Sequence, residues 1–489
     1  MALVQRAGYC ARFALLLLFA AGCSASKPSV RRMPPIAAAP APVQPQQSSG
    51  GQAGQPPARS SVQQVSHELP QAAQGEIGEN DGLFAGQAEL SLPVLTREVA
   101  ARNPSLQAMF YAWRAAAQRY PQVVRLDDPM FMTMMAPASF DSNVVNPGYT
   151  LQGAQKLPWF GKLQTRGQGA QAEASAAFQD VQDARLVIYV VTRLAFYDYY
   201  LAERQLQING QNKLAAQEFR DSAQVKYENN QVTQLDVIQA DVELADLRRR
   251  QIELERMRRV AVARINTLLL RAADGPLPPS PQSLPPEAEL PGADSLRQMA
   301  LARRPDLAAI AARVRAEQAA VDLARLQYYP DVEFFGRYDA FWQESELQAA
   351  AGMNLNMPIY RRRLNAAVCE SQFRLSQRRA EYQQRVLDIQ YEVQSAFELV
   401  EEARQTVELY HANYLPLAEQ NLALARTDYD VGKGTYLNLV MAQRQLFAVR
   451  ERLEQSLTDY HRRIADLERA IGGELREGGG PEELPKPER

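Results

Sequence analysis

The chain has 489 residues, long enough for two or more domains, and sets 54 basic against 56 acidic side chains for a net charge of −2. That balance excludes a broad electrostatic footprint for nucleic acid, and the runs Arg248–Arg250 and Arg361–Arg363 read as solvated faces. Three cysteines are too few for a disulfide framework, the three histidines have no partners at metal-ligand spacing, and no cofactor loop or nucleophile–base pair appears.

At the N-terminus, Arg6 and Arg12 precede the apolar run "FALLLLFAAG", which ends directly at Cys23. Residues 1–22 read as a secretory signal peptide, too short to be a spanning helix. The segment "AAGC", Ala20 to Cys23, resembles a bacterial lipobox, although Ala20 stands where a branched aliphatic residue is usual. The resemblance implies that Cys23 is the lipid-modified, palmitate-bearing first residue of the mature protein. Ser24, rather than aspartate, follows it, which directs the expectation to the outer membrane. Residues 23–88, rich in Pro, Gln, Ala, Ser and Gly, have too little apolar content to order themselves and read as a flexible tether.

Two segments of similar length follow, 89–272 and 294–472, separated by a Pro-rich linker over 273–293 and trailed by a disordered tail over 473–489. They are copies of one unit. "ARNPSL" at Ala101 returns as "ARRPDL" at Ala302, an offset of 201, and Pro158 of "LPWFGK" returns as Pro358 of "MPIYRR", an offset of 200. Ala195-Phe196 returns as Ala396-Phe397, and "YENNQVTQLDVIQA" from Tyr227 aligns with "YDVGKGTYLNLVMA" from Tyr429 at an offset of 202. Anchors at nearly constant spacing mean an internal duplication.

Each copy is expected to open on a helix at its Asn-Pro or Arg-Pro start, since proline suits the first turn, and to end it at Tyr120-Pro121 or Tyr329-Pro330. The second copy's helix should be about two turns longer, because Pro305 to Pro330 spans 25 residues and Pro104 to Pro121 spans 17. Period-two alternation then predicts strands at about 331–342 and 349–357, with counterparts at about 129–140 and 147–157. Long helical segments follow, from about Gly161 to Glu228 and from about Arg361 to Asp430, each on the order of 100 Å long. Val386, Val393, Val400 and Val407 recur at heptad spacing, with Ile389, Ala396, Ala403, Tyr410 and Leu417 on a companion row. Leu439 to Leu467 and Leu247 to Leu268 continue the period, which means coiled-coil packing. Pro416 should bend its helix, and Cys369 reads as a small buried hydrophobe.

"YDVGKGTYLNLVMAQ", Tyr429 to Gln443, superficially resembles a phosphate loop, but Gly434 stands where Ser or Thr is required and no Gly lies five residues before Gly432. Four strands with two open edges cannot span a bilayer alone, so the sheet is expected to close with further copies of the chain.

The lipoprotein signal, the duplicated helix–strand–strand–hairpin unit and the Tyr…Gly…Thr stretch together resemble the TolC-like outer-membrane efflux family over roughly Leu90 to Gly472. The resemblance implies a mostly α protein with a small membrane β part: a homotrimer with a twelve-stranded β-barrel on an α-helical coiled-coil tunnel. It further implies a periplasmic adaptor, an inner-membrane efflux pump and outer-membrane lipid as partners, with no nucleic acid. The function implied is the outer-membrane channel of a tripartite efflux system. A polypeptide-secretion channel and a non-channel periplasmic coiled-coil protein are the alternatives. "DDPMFM" and "LPWFGK" also resemble the heavy-metal efflux branch.

In that family the glycine-rich stretch is the periplasmic turn of a helical hairpin, where an adaptor would dock. Gly432 and Gly434 would give the backbone its freedom and Thr435 would cap the next helix, with Asn229, Asn230 and Thr233 serving the first copy. Asp236 and its counterpart Asn438 fall where relatives ring the entrance with carboxylates, and Asp236 reads equally as a first-turn aspartate favoured by the helix dipole. Met130, Met132 and Met134 share one strand face, either as soft metal ligands or, on the plainer reading, as part of an apolar barrel face.

Overall fold

In the computed structural model of the chain, residues 84, 87–141, 147–285, 290–341, 345 and 348–475 are described. The expectations for the signal peptide, Cys23, most of the tether and the tail beyond residue 475 therefore lie outside the described residues.

Each copy opens on two short helices in tandem: α1 (Leu92–Arg102) and α2 (Pro104–Ala117), then α6 (Ala293–Arg303) and α7 (Pro305–Leu326). Pro104 and Pro305 take the first helical position, where a missing N–H costs nothing. Asn103 caps α2, its Oδ1 accepting the N–H groups of Ser105 and Leu106 at 3.0 and 3.3 Å. The eight-residue difference between α2 (14 residues) and α7 (22 residues) is the expected two turns. Tyr120-Pro121 does not end a helix. A five-residue helix, α3 (Arg119–Val123), runs through it, because Pro121 falls in that helix's first turn.

Strands β1 (Met130–Met135), β2 (Tyr149–Leu157), β3 (Val332–Asp339) and β4 (Ala349–Leu355) form one antiparallel sheet in that order. β1 is shorter than its alternation predicted, because Pro137–Ser139 turns as a 3₁₀ helix. Cα partners face the same side of a sheet, so the register sorts the side chains. One side carries Phe131, Met135, Leu151, Phe334, Tyr338, Met353 and Leu355. The other carries all of the charged side chains, Lys156, Glu333, Arg337 and Asp339, with Thr150, Gln152 and Asn354, and also Phe335, Met130, Met132 and Met134. Thr150 donates to Asp339 at 3.3 Å and Asn354 to Glu333 at 3.0 Å on that polar side.

The two copies are tied together where strands meet helices. The buried Lys162 ammonium donates to the Asp331 carboxylate at 2.7 Å and to the Tyr329 carbonyl at 2.9 Å, and the Trp159 N–H donates to the same carboxylate at 3.0 Å. The Trp159 ring stacks on Tyr329 with centroids 5.4 Å apart.

Two helical hairpins follow. The first is α4 (Lys162–Glu228), unbroken for 67 residues, and α5 (Gln234–Leu268). The second is α8 (Arg361–Leu409), a π-helical turn over Tyr410–Tyr414, α9 (Leu415–Asp430) and α10 (Tyr436–Ile471). The valine seam holds: Val393, Val400 and Val407 are buried with Ile389 against Tyr460, Ile464 and Leu467 of α10. The companion row breaks. Leu417 is 62% exposed, and Ala418, one residue later, is 2% exposed. The π turn supplies the extra residue, so the seam resumes eight residues after Tyr410, at Ala418, with Leu415 and Leu422 packed alongside. The turn ends two residues before Pro416, which has no N–H to bond back into an α-helix. Cys369 is exposed rather than buried, since its position on α8 falls outside the seam.

α10 joins the copies along their length. Arg193 of α4 is buried in an ion pair with Glu468 of α10 and donates to the Tyr197 hydroxyl at 3.1 Å. His461 stacks on Tyr197 with centroids 5.7 Å apart and meets the Tyr460 ring edge-on. Among the described residues, no helix is long and apolar enough to cross a membrane.

Candidate functional site

The two hairpin turns are built alike. After α4, Asn230 adopts φ +56°, and the Gln231 N–H donates to the Lys226 carbonyl at 2.8 Å. After α9, Gly432 adopts φ +75°, and the Lys433 N–H donates to the Asp428 carbonyl at 2.9 Å. A left-handed residue followed by a bond to the carbonyl five residues back is a Schellman stop, which satisfies carbonyls that the helix end leaves open. Asn230 and Gly432 occupy equivalent places in the duplication. Glycine takes this geometry freely, and asparagine tolerates it better than most residues.

The other turn residues act differently from expectation. Asn229 keeps φ −87°, and its side-chain amide donates to the Val225 carbonyl at 2.9 Å, so it closes the helix without entering left-handed space. Gly434 is not left-handed either. It is needed for closeness: a Cβ there would lie 3.0 Å from the Asp428 Cβ and 3.1 Å from two backbone atoms. Thr435 caps α10, its Oγ1 accepting the Asn438 N–H at 3.3 Å. Thr233 does not cap with its side chain; its backbone carbonyl accepts the Asp236 N–H at 3.1 Å.

The turns lie together at one end of the two hairpins. Phe219, Ala223, Val237, Ala240, Tyr429, Tyr436, Leu439 and Val440 form one buried cluster drawn from both. Lys226, which nothing in its spacing singled out, links them: its ammonium lies 3.7 Å from the Tyr429 ring centroid, donates to the Tyr429 carbonyl at 3.1 Å and sits 3.7 Å from Asp430. Asp236, in the first turn of α5, is half-buried, and Asn438 is exposed. The Tyr429 and Tyr436 hydroxyls titrate above their ordinary range, first through burial, with the Asp236 charge adding to both. Farther along, Glu243 of α5 is buried against Arg444 of α10, and Gln443 donates to Asn212 at 2.9 Å.

The methionine stripe is also placed. Met130, Met132 and Met134 pair with Ala154, Gln152 and Thr150, which puts them on the polar side of the sheet rather than the apolar one. Among the described residues, no group of three or more His, Cys, Asp or Glu is arranged to hold a metal ion.

Residues 296–473 match the family model described as outer membrane efflux protein. These residues, which lie in the second copy, are similar to an outer membrane efflux protein domain. The efflux-protein fold extends over most of the chain, which is similar to the outer-membrane channel OprN with a TM-score of 0.67 and 21% identity, covering 78% of this chain and 90% of that one. It is similar to CusC with a TM-score of 0.67 and 19% identity, covering 81% and 96% of the two chains. The outer membrane protein VceC from Vibrio cholerae follows the same fold with a TM-score of 0.66 and 18% identity, covering 79% and 97%. The fold is TolC-like, as the duplicated unit implied. No protein of curated function matches the chain.

Proposed function

We propose that this chain is the outer-membrane channel of a tripartite efflux system. Three copies close their sheets into one twelve-stranded barrel, and the hairpins form a periplasmic tunnel whose tips meet an adaptor and an inner-membrane pump. The observation that carries the reading is the sheet. It ends on β1 and β4, each with a free edge among the described residues, and all the charged side chains of its strands fall on one side. Hydrocarbon tolerates no free strand edge, and a barrel wall needs lipid on one side and water on the other.

The helices support the same assembly. Leu235, Ile238 and Val242 are exposed on one face of the first turns of α5, an apolar patch suited to a neighbouring copy. On this reading the Asn229–Val232 and Val431–Gly434 turns are the docking end, and Asp236 lines the entrance.

Native mass spectrometry of detergent-extracted protein, paired with conductance across planar bilayers, tests the proposal. A three-fold assembly and discrete conductance steps are expected. A monodisperse monomer that keeps its β-structure would overturn it.

A further inference from the structure

Met130, Met132 and Met134 occupy every same-side position of β1. They share that side with Gln152, Phe335, Arg337 and Asp339, while Phe131 and Met135 point with the apolar set. They are 69%, 54% and 57% exposed, so none is filling a core. Their strand neighbours on that side, Ala154, Gln152 and Thr150, are no bulkier than glutamine, which leaves the thioethers room. Successive same-side residues stand about 6.7 Å apart along a strand, and methionine has three rotatable bonds, so neighbouring sulfurs can converge on one ion. An apolar coat on a water-facing wall needs no sulfur; leucine or valine would serve. Thioether is the soft donor among apolar side chains and prefers Cu(I) or Ag(I) over hard cations.

We infer that Met132, paired with Met130 or with Met134, forms a thioether site for a soft monovalent metal ion in the water-facing wall of the channel. The location rests on the channel reading above; the ligand set rests on the sheet register alone. Arg337 on the same side is paired with Asp339 at 3.7 Å, which offsets its charge toward an arriving cation. Such a site would hold the ion briefly as it leaves, between entrance and exit, as conduction through a wall of weak sites requires.

The test compares two forms of the full chain. Both carry Cys369→Ser, which removes an exposed thiol that would itself take silver. One also carries Met130→Leu, Met132→Leu and Met134→Leu, which keep volume and hydrophobicity and remove only sulfur. Titration with silver nitrate in chloride-free buffer is read by calorimetry, and the same salt is added during single-channel recording. The triple-leucine form should keep its unliganded conductance and oligomer. Its Ag(I) affinity should fall by at least the roughly tenfold that losing even an outer-shell partner of a metal site costs. Silver should reduce the current only through the methionine form. A methionine form that conducts but binds silver no better than the leucine form overturns the site and leaves the channel standing. A methionine-dependent silver affinity in protein that never conducts upholds the site and sinks the channel reading.

Discussion

Gly432 and Gly434 share a turn for different reasons, and their substitutions should separate. Gly432→Ala puts a Cβ at φ +75° into open space, so its cost is the backbone penalty of about 1–2 kcal/mol alone. Gly434→Ala meets Asp428 and must shift the end of α9. Replacing both by valine should leave oligomer and membrane insertion intact while abolishing export and adaptor crosslinking; normal crosslinking would remove the tip from the docking role. His461 makes a second prediction. Burial holds its imidazole at a pKa of about 4, and the Arg193 charge acts in the same direction. The folded chain therefore refuses a proton that the unfolded chain accepts below its ordinary value of about 6.5. Stability from this residue is full above about 6.5 and falls as the pH drops toward 4, by about 3 kcal/mol across that window. His461→Phe keeps a ring against Tyr197 and should flatten the decline in melting temperature between pH 7 and pH 4.5. An unchanged slope would show that His461 is not the group responsible.

At the scale of elements, the π turn is one residue too many, and that can be tested by removal. Deleting Ala412 while making Pro416→Ala should restore a seven-residue step between Tyr410 and Ala418, so that α8 and α9 fuse without moving either seam. The recovered backbone bonding should raise the melting temperature by about 2–4 °C and slow hydrogen exchange over 410–418. Pro416→Ala alone keeps the extra residue and should keep the π turn. The deletion alone strands proline inside a helix and should destabilise. The long helices, the hairpins and the four strands were legible because heptads, period-two alternation and the duplication each repeat many times. The π turn was only half legible: Pro416 announces a disturbance, but the phase slip appears only when Leu417 is seen exposed and Ala418 buried. The methionines were misread for a related reason. β1 alone has no charged residue to mark its polar side, and only pairing with β2 and β3 assigns it. Lys226 carried no signal, since its partners lie some two hundred positions away and arrive through the fold.

Across the whole molecule, the duplication decides most of what the fold requires, because both copies contribute strands to one sheet and a hairpin to one tip. The joint between copies should then be sensitive. Asp331→Ala leaves the buried Lys162 ammonium with only the Tyr329 carbonyl and should cost about 3–5 kcal/mol, read as a loss of assembled protein; Lys162→Met in the same chain should recover part of it. Membrane attachment belongs to this scale too. Intact-mass measurement of mature protein is expected to begin at Cys23 with acyl chains attached, and Cys23→Ala should impair sorting more than final insertion, since the barrel itself would span the membrane.

The charges on the sheet's polar side have an electrical consequence. Lys156 faces Glu333 across β2 and β3, and Arg337 lies beside Asp339, so the described strands sum to zero charge there. On the channel reading, the outer mouth is then an ohmic segment. It sets resistance without sorting ions by sign, since fields from such pairs fade within about 8 Å at physiological salt. Reversal potentials in asymmetric potassium chloride should move with Asp236→Asn at the far end and stay fixed when Lys156 and Glu333 are made neutral together. The sign of ion the channel prefers would thus be set by residues a helix-length away from the membrane it crosses.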